Sequence, residues 1–119
     1  MAFTTDGLNE LLEGYKTNFT QRGWTLVARK GNGDYITSEA VQFGTISNGT
    51  MDLSEPAELS INTVPSDVEK LSLYTGDVTN GTEMASETEL VTVTFTAGTY
   101  NFTVAGTLTV NSFEISVAE

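Results

Sequence analysis

Apolar and polar residues alternate almost without interruption through the last third of the chain. Four segments carry the pattern, with threonine as the usual polar partner, at residues 90–96, 100–104, 107–110 and 113–117. Because successive side chains of a β-strand point to opposite faces, each segment predicts a strand with one apolar and one hydroxyl-bearing face. We expect the four strands to form a β-meander, in which each strand pairs with the next.

One phase slip interrupts this alternation. Leu108 and Val110 share a face, whereas the apolar residues from Phe113 onward have moved by one position. A β-bulge at residues 111–112 would restore the inward direction and bend the strand. Such a bend favours a sheet that curls into a barrel over two flat layers.

A different spacing marks the N-terminal segment. Apolar residues recur there at steps of three and four, at Leu8, Leu11, Leu12, Tyr15 and Phe19. This predicts one amphipathic α-helix over residues 6–19, with Thr5 or Asp6 as its N-cap. Gly14 weakens the helix by about 1 kcal/mol relative to alanine, so the helix must dock. We expect it to cover one mouth or face of the sheet, the alternative being a helix that binds a partner.

The middle of the chain reads as short strands separated by turn residues. A hairpin is predicted from residues 24–28 and 35–37, joined by a glycine-containing turn at residues 30–34. Further strands are predicted at residues 40–46, 51–53, 58–62 and 70–74, whereas residues 75–89 suggest an exposed loop or an edge excursion.

These elements predict a mainly β protein with a single domain. The expected architecture is an antiparallel β-sandwich or a small rolled barrel with one N-terminal amphipathic α-helix. Residues 1–22 would form an N-terminal arm and helix, and residues 23–119 a β-rich body. A chain of 119 residues can bury about two-thirds of its unfolded surface in one core.

Composition narrows the function classes. The chain has 16 acidic and 5 basic residues, and its net charge of −11 argues against nucleic acid as a partner. No apolar run approaches the roughly 20 residues that span a bilayer, and the first residues lack the pattern of a signal peptide, so we expect no membrane partner. Cysteine is absent, which excludes disulfides and thiolate sites.

The basic residues are unevenly distributed along the chain. None follows Lys70, and four of the five fall in one window, at Lys16, Arg22, Arg29 and Lys30. They are either ordinary solubilising charges or a basic contact spot on an acidic body, which could orient a binding partner.

Catalytic patterns are missing from the sequence. Histidine is absent, which removes Ser–His–Asp and Cys–His triads and HExxH zinc sites. A glycosidase needs only two carboxylates, but no pattern pairs one acid with another. The glycines at residues 31–33 precede a strand rather than a helix, and residues 77–83 lack the ligand spacing of an EF-hand. We therefore expect neither an enzyme nor a cofactor or metal site.

The chain resembles a group of small virion structural proteins of tailed bacteriophages. The resemblance lies in the opening residues 1–12, in residues 71–76 with the acidic loop that follows, in residues 95–100 and in the strand at residues 108–110. It covers about half of the chain, and its motifs are compositional rather than chemical.

The resemblance implies a non-enzymatic protein that assembles onto a phage particle, most like a capsid decoration or cement protein. Its partner would be the major capsid protein, and it would lie on the outer surface of the virion capsid, commonly as a homotrimer. The candidate capsid contacts are then Lys16, Arg22, Arg29 and Lys30, and the candidate self-association residues are Leu8, Leu11, Tyr15 and Phe19.

Two other functions remain open. The protein could be a tail, neck or fibre component, although no coiled-coil or repetitive shaft is visible. It could also be a receptor-binding or glycan-binding module that uses Trp24 and nearby tyrosines.

Overall fold

A computed structural model describes residues 4–20, 23–95 and 100–116. These residues form two helices and ten short strands and are mainly β, as the sequence predicts. The elements in chain order are α1 (Thr5–Thr20), β1 (Trp24–Arg29), β2 (Tyr35–Val41), β3 (Thr50–Met51), β4 (Ala57–Ile61), β5 (Ser66–Val68), β6 (Lys70–Thr75), α2 (Gly81–Ser86), β7 (Glu89–Thr94), β8 (Tyr100–Phe102), β9 (Gly106–Val110) and β10 (Ile115–Ser116).

The largest sheet is antiparallel and has the strand order β2-β1-β6-β7. Five consecutive residues of β1, from Trp24 to Ala28, are buried, because both faces of this central strand are covered. Trp24, Leu26 and Ala28 belong to the main core, whereas Val27 belongs to a second cluster with Tyr74. The sheet therefore separates two apolar layers of unequal size.

The predicted hairpin between β1 and β2 is confirmed. Gly33 has a φ of +98° and its N–H donates to the Lys30 carbonyl at 2.9 Å. The Asn32 side-chain oxygen accepts from the Asp34 N–H at 3.0 Å, which is an Asx-turn. Strand β2 also runs further than predicted, to Val41, where the sequence suggests a new strand from residue 40.

The predicted meander is wrong, because within the described residues none of the four C-terminal strands pairs with another of the four. The strand pairs are nested: β7 pairs with β6, β8 with β5, β9 with β4 and β10 with β3. Alternation specifies which side chains share a face but not which strand lies alongside. Nested pairs are how a jelly roll winds an antiparallel ribbon.

The predicted bulge at residues 111–112 is also wrong. Strand β9 ends at Val110, and β10 starts at Ile115 beside a different strand, so the phase slip marks a corner between two strand pairs. Phe113 lies at this corner and is 7 % exposed. The slip returns the Phe113 side chain to the core after the chain has changed partner.

The Asp52 carboxylate holds this corner. It accepts hydrogen bonds from the Ser112 hydroxyl, the Phe113 N–H and the Leu53 N–H, each at 2.7 Å. Partial burial raises the pKa of Asp52, but these three bonds outweigh it and lower that pKa below its usual value. One side chain therefore links the β3 segment to the corner that precedes β10.

Helix α1 packs on its own chain. Leu12 is 1 % exposed within the main core, as a docked helix requires. On the same side of the helix, the Asn9 side-chain oxygen accepts from the Gly49 N–H at 2.5 Å, and Lys16 Nζ donates to the Gly44 carbonyl at 2.8 Å. These contacts fix the helix to the segment between β2 and β3.

The N-cap of α1 is one residue earlier than predicted. The Thr4 hydroxyl accepts from the Gly7 N–H at 3.0 Å, and the helix begins at Thr5. Threonine residues occupy both positions 4 and 5, so residue type alone did not distinguish them.

A second helix, α2, contradicts the prediction that α1 is the only one. Asn80 caps it by accepting from the Glu83 N–H at 2.9 Å, and Glu83 accepts in return from the Thr79 N–H at 2.8 Å. The Thr79 hydroxyl also donates to the Glu83 carboxylate, and the two hydrogen bonds from Thr79 lower the pKa of Glu83. The helix has six residues, too few for a hydrophobic period to show, so only the Asn80-to-Glu83 spacing marks it in the sequence.

Hydroxyl groups of the large sheet hold the loop that leads into α2. The buried Thr25 hydroxyl donates to the Gly76 carbonyl at 2.7 Å and accepts from the Val78 N–H at 3.2 Å. Ser38 donates to the Val78 carbonyl at 2.6 Å, and Tyr35 to the Thr79 carbonyl at 2.9 Å. Residues predicted to be an exposed loop therefore cover part of the second face of the sheet.

Two further differences from the sequence prediction are strand β5 and the strand predicted at residues 40–46, which is not formed beyond Val41. Residues 65–67 suggest a turn, yet β5 (Ser66–Val68) pairs with β8. The strand has three residues, which is too short for alternation to identify it.

Replacing Asp52 with asparagine should lower the free energy of unfolding by about 1–3 kcal/mol at pH 7, because an amide oxygen replaces a charged acceptor of three bonds. The lowered pKa means that the stabilisation is complete above the unfolded-state pKa of about 3.9 and is lost as the pH falls through the folded-state value. Urea unfolding from pH 7 to pH 2.5 would measure it. Asp77→Asn, at an exposed position, is the control, and equal effects of the two variants would refute the role of Asp52.

A pair of glycine-to-alanine variants should have opposite effects on stability. Gly76 has a φ of +82°, and an added Cβ would lie 2.5 Å from a Glu87 carboxylate oxygen, so Gly76→Ala should cost about 1–3 kcal/mol. Gly14 lies within α1 with no atom within 4 Å of an added Cβ, so Gly14→Ala should gain about 0.5–1 kcal/mol. Thermal unfolding measures both, and a neutral Gly76→Ala would contradict the expected strain.

Candidate binding surface

Arg29, one of the four predicted basic contacts, points along the sheet rather than into solvent. Its side chain is 15 % exposed and forms an ion pair of 3.4 Å with Glu89. Its Nε donates to the Gly33 carbonyl at 2.8 Å and its Nη1 to the Ser72 hydroxyl at 3.0 Å. The guanidinium therefore holds the β1–β2 turn and two neighbouring strands together.

The groups around Arg29 form one polar network. The Ser72 and Thr92 hydroxyls are 2.8 Å apart, Thr92 donates to Glu89, and Tyr74 Oη donates to Glu89 at 3.5 Å. Burial is the main cause that raises the pKa of the Tyr74 hydroxyl. The Arg29 charge lowers this pKa and Glu89 raises it, and the net result is a pKa above the usual value. Tyr74 therefore stays neutral at physiological pH, and the network consists of structural hydrogen bonds.

The structure does not bring Lys16 and Lys30 into one patch. Lys30 is exposed at the β1–β2 turn, before Tyr35, whereas Lys16 binds Gly44, beyond Val41. The seven residues of β2 separate these two ends by roughly 20 Å. Arg22 lies outside the described residues. A contact role for Lys16, Arg22, Arg29 and Lys30 stays a prediction.

Of the predicted self-association residues, Leu11 is described with its side chain. It is 48 % exposed, on a part of α1 turned away from the core that Leu12 enters. The backbone of Leu8, Tyr15 and Phe19 lies in α1, but their side chains are outside the described part of the structure.

An apolar cleft of about 350 Å³ lies between the large sheet and β9. Its walls are mainly apolar and include Leu71, Val91, Val93, Phe95, Tyr100, Leu108, Val110 and Phe113. Val93 is 43 % exposed and Tyr100 51 % exposed, and the rings of Phe95 and Tyr100 meet edge to face at 5.0 Å. At this cleft the main core is open to solvent.

The cleft runs beside an unpaired strand edge. Among the described residues, β7 pairs on one side with β6 and ends the large sheet, and β9 pairs on one side with β4. Sheet edges of soluble proteins are commonly guarded by lysine or proline, but β7 contains neither. We call this region, comprising the cleft and the free edge of β7, the edge cleft.

A larger cleft of about 780 Å³ lies where β1 begins and β2 ends, at the opposite end of this hairpin from its turn. Four carboxylates contribute to its lining, from Glu39, Glu55, Glu58 and Asp77, and no lysine or arginine does. This cleft would repel anionic ligands and nucleic acid.

Within the described residues, no cluster of three or more acidic side chains could hold a metal ion. The two described helices lack the length and apolar character needed to cross a membrane. No protein-family model, curated protein or solved structure matches the chain.

Sequence reasoning missed the edge cleft because its walls come from strands far apart in the chain. The alternation does assign Val91 and Val93 to one face, and the absence of lysine and proline from residues 89–94 is visible. The sequence does not show that β9 lies opposite β7, because this placement follows from the nested strand pairing.

Arg29→Gln should lower the free energy of unfolding by about 1.5–3 kcal/mol, because it removes the ion pair with Glu89 and the charged donor to the Gly33 carbonyl and the Ser72 hydroxyl. Lys30→Gln makes the same change of charge at an exposed position and should stay within about 0.5 kcal/mol of the parent protein. Urea unfolding at pH 7 compares them, and equal stabilities would show that Arg29 is not structural.

Proposed function

We propose that this protein is a non-enzymatic virion structural protein that binds the assembled capsid shell of a tailed bacteriophage and stabilises it as a decoration protein. The observation that carries this proposal is how the protein uses its polar side chains. Arg29, Asp52 and Thr25 bind neighbouring side chains and backbone groups of the fold. The described surface also carries acidic residues and exposed apolar side chains, which are the materials of a contact surface.

The exposed apolar residues support protein contacts of this kind. Leu11, Val93, Tyr100 and Val104 are large hydrophobic residues with about half or more of their surface in solvent. Contact areas of this modest size are sufficient for a decoration protein, because several linked contacts to one shell bind more tightly together than each does alone. The net charge of −11 would keep free copies apart before they reach the shell.

The stabilising mechanism follows from mass action. A ligand that binds only the assembled shell lowers the free energy of that state, by about 2.7 kcal/mol per site at a concentration 100 times its dissociation constant. The proposal therefore requires binding to the assembled shell and not to free capsid subunits. A homotrimer at points where capsid subunits meet, joined through α1 residues such as Leu11, is the assembly that we propose.

A tail, neck or fibre role is the second candidate, and the same particle-binding experiment separates it from the first. A glycan-binding role through Trp24 loses its support, because this residue is 4 % exposed and packs edge to face against Phe43 at 5.1 Å. A buried indole ring does not provide a sugar-stacking surface.

The decisive measurement is co-sedimentation of the purified protein with expanded empty heads, with tails and with unassembled capsid subunits. We expect saturable binding to heads only, and heads with bound protein should withstand a higher temperature before they break. Binding to tails alone would favour the second candidate, and binding to neither particle would refute both.

Charge reversal at Lys30 and Arg22 tests the predicted basic contacts. Replacing both with glutamate should weaken head binding by about tenfold or more and make the remaining binding less sensitive to salt. The control is Lys70→Glu, which reverses one positive charge outside the basic window, and each single variant, Lys30→Glu and Arg22→Glu, is compared with it. Unchanged head binding of the double variant would remove these residues from the contact surface.

A further inference from the structure

We infer that the edge cleft binds an extended segment of a partner protein, added to β7 as a further strand, with apolar side chains at alternate positions and a lysine or arginine near Glu114. The inference rests on the proposed function only in naming the capsid protein as the source of this segment.

The first argument is the hydrogen-bonding edge of β7. The Phe95 N–H donates to the Glu69 carbonyl, on the side of β6. Because backbone groups alternate along a strand, the Thr94 N–H points the other way, toward the free edge. An extended peptide can pair with such an edge through its main chain.

The second argument is the apolar wall beside that edge. Val91 and Val93 line the cleft from β7, and Leu108 and Val110 line it from β9. Both pairs are two residues apart, which is the spacing at which side chains of one strand share a face. A strand lying between them could direct every second side chain into the cleft, and its volume of about 350 Å³ is enough for small apolar groups.

The third argument is the charge at the cleft. Among the described lining residues, Glu114 is the one carboxylate, and Asp52, with its lowered pKa, binds Ser112 and Phe113 at the same end. Lys70 begins β6 directly before Leu71, so its side chain is on the opposite face of the sheet from the cleft. A basic residue on the partner segment would therefore find uncompensated negative charge at this end.

The same charge argues against a second copy as the occupant. The sequence has no basic residue after Lys70, and each copy carries a net charge of −11. A strand from residues 71–119 would bring acidic or neutral side chains to Glu114. A partner with the opposite charge is the better match.

The experiment measures binding of a labelled synthetic peptide to the full chain by fluorescence anisotropy. The probe is a blocked peptide in which valine and threonine alternate between two terminal lysines. The reference peptides are one with terminal glutamates and one in which the valines are contiguous. We expect the lysine peptide to bind about tenfold more tightly than either reference.

Matched variants then locate the site on the protein. Val93→Glu should weaken peptide binding about tenfold, whereas Val104→Glu, the same change at a residue that is 72 % exposed and outside the cleft, should leave it within about twofold. Glu114→Lys should remove the preference for the lysine peptide, and Glu58→Lys, in the other cleft, should not. Thr94→Pro removes the outward N–H and should also weaken binding. Circular dichroism verifies that each variant is folded.

The results can also separate this inference from the proposed function. Equal peptide binding by the Val93→Glu and Val104→Glu variants, or no preference among the three peptides, would overturn the inference. If Val93→Glu binds heads as well as the parent protein does, the capsid protein is not the source of the segment, while the decoration role stands. If the peptide binds as expected but the protein does not sediment with heads, the decoration role fails while the edge cleft remains a peptide site.

Discussion

The fold depends on the nested antiparallel pairing of its second half with its first. Each strand from β7 to β10 lies beside a strand from β6 to β3, in reverse order. The innermost pair, β6 with β7, closes a short loop that contains α2. Each further pair closes a longer loop, so the sequence separation between paired strands increases from this pair outward. The outermost pair forms only if the chain turns at residues 111–114, and the Asp52 carboxylate holds that turn.

This topology explains how the polar residues are used. A chain that changes partner at every strand leaves backbone groups and side chains at the corners that need hydrogen-bonding partners. Asp52 supplies them at one corner, Thr25 at the loop before α2, and Asn9 and Lys16 where α1 docks. These four side chains therefore stabilise the fold, and one of them, Lys16, is also a predicted capsid contact.

Within the described residues, the same topology leaves part of the core open to solvent at the edge cleft. The large sheet ends at β7, the pair of β4 and β9 ends at β9, and the apolar faces of both meet at the edge cleft. Unguarded sheet edges promote association, and a strongly acidic chain limits association with copies of itself. Together these two properties favour a partner that differs in charge, which is the physical basis of the binding role that we propose.

By itself, the sequence determined the mainly β class, helix α1, the β1–β2 hairpin and the approximate positions of most strands, because hydrophobic period and turn residues are local signals. It also determined the negative charge and the absence of histidine and cysteine. Only the tertiary structure decided which strands pair, why the phase slips before Phe113, and that Arg29 turns inward while Val93 stays exposed. The reason is physical: alternation specifies the face of each side chain, whereas strand partners and buried polar contacts depend on residues that lie far away in the chain.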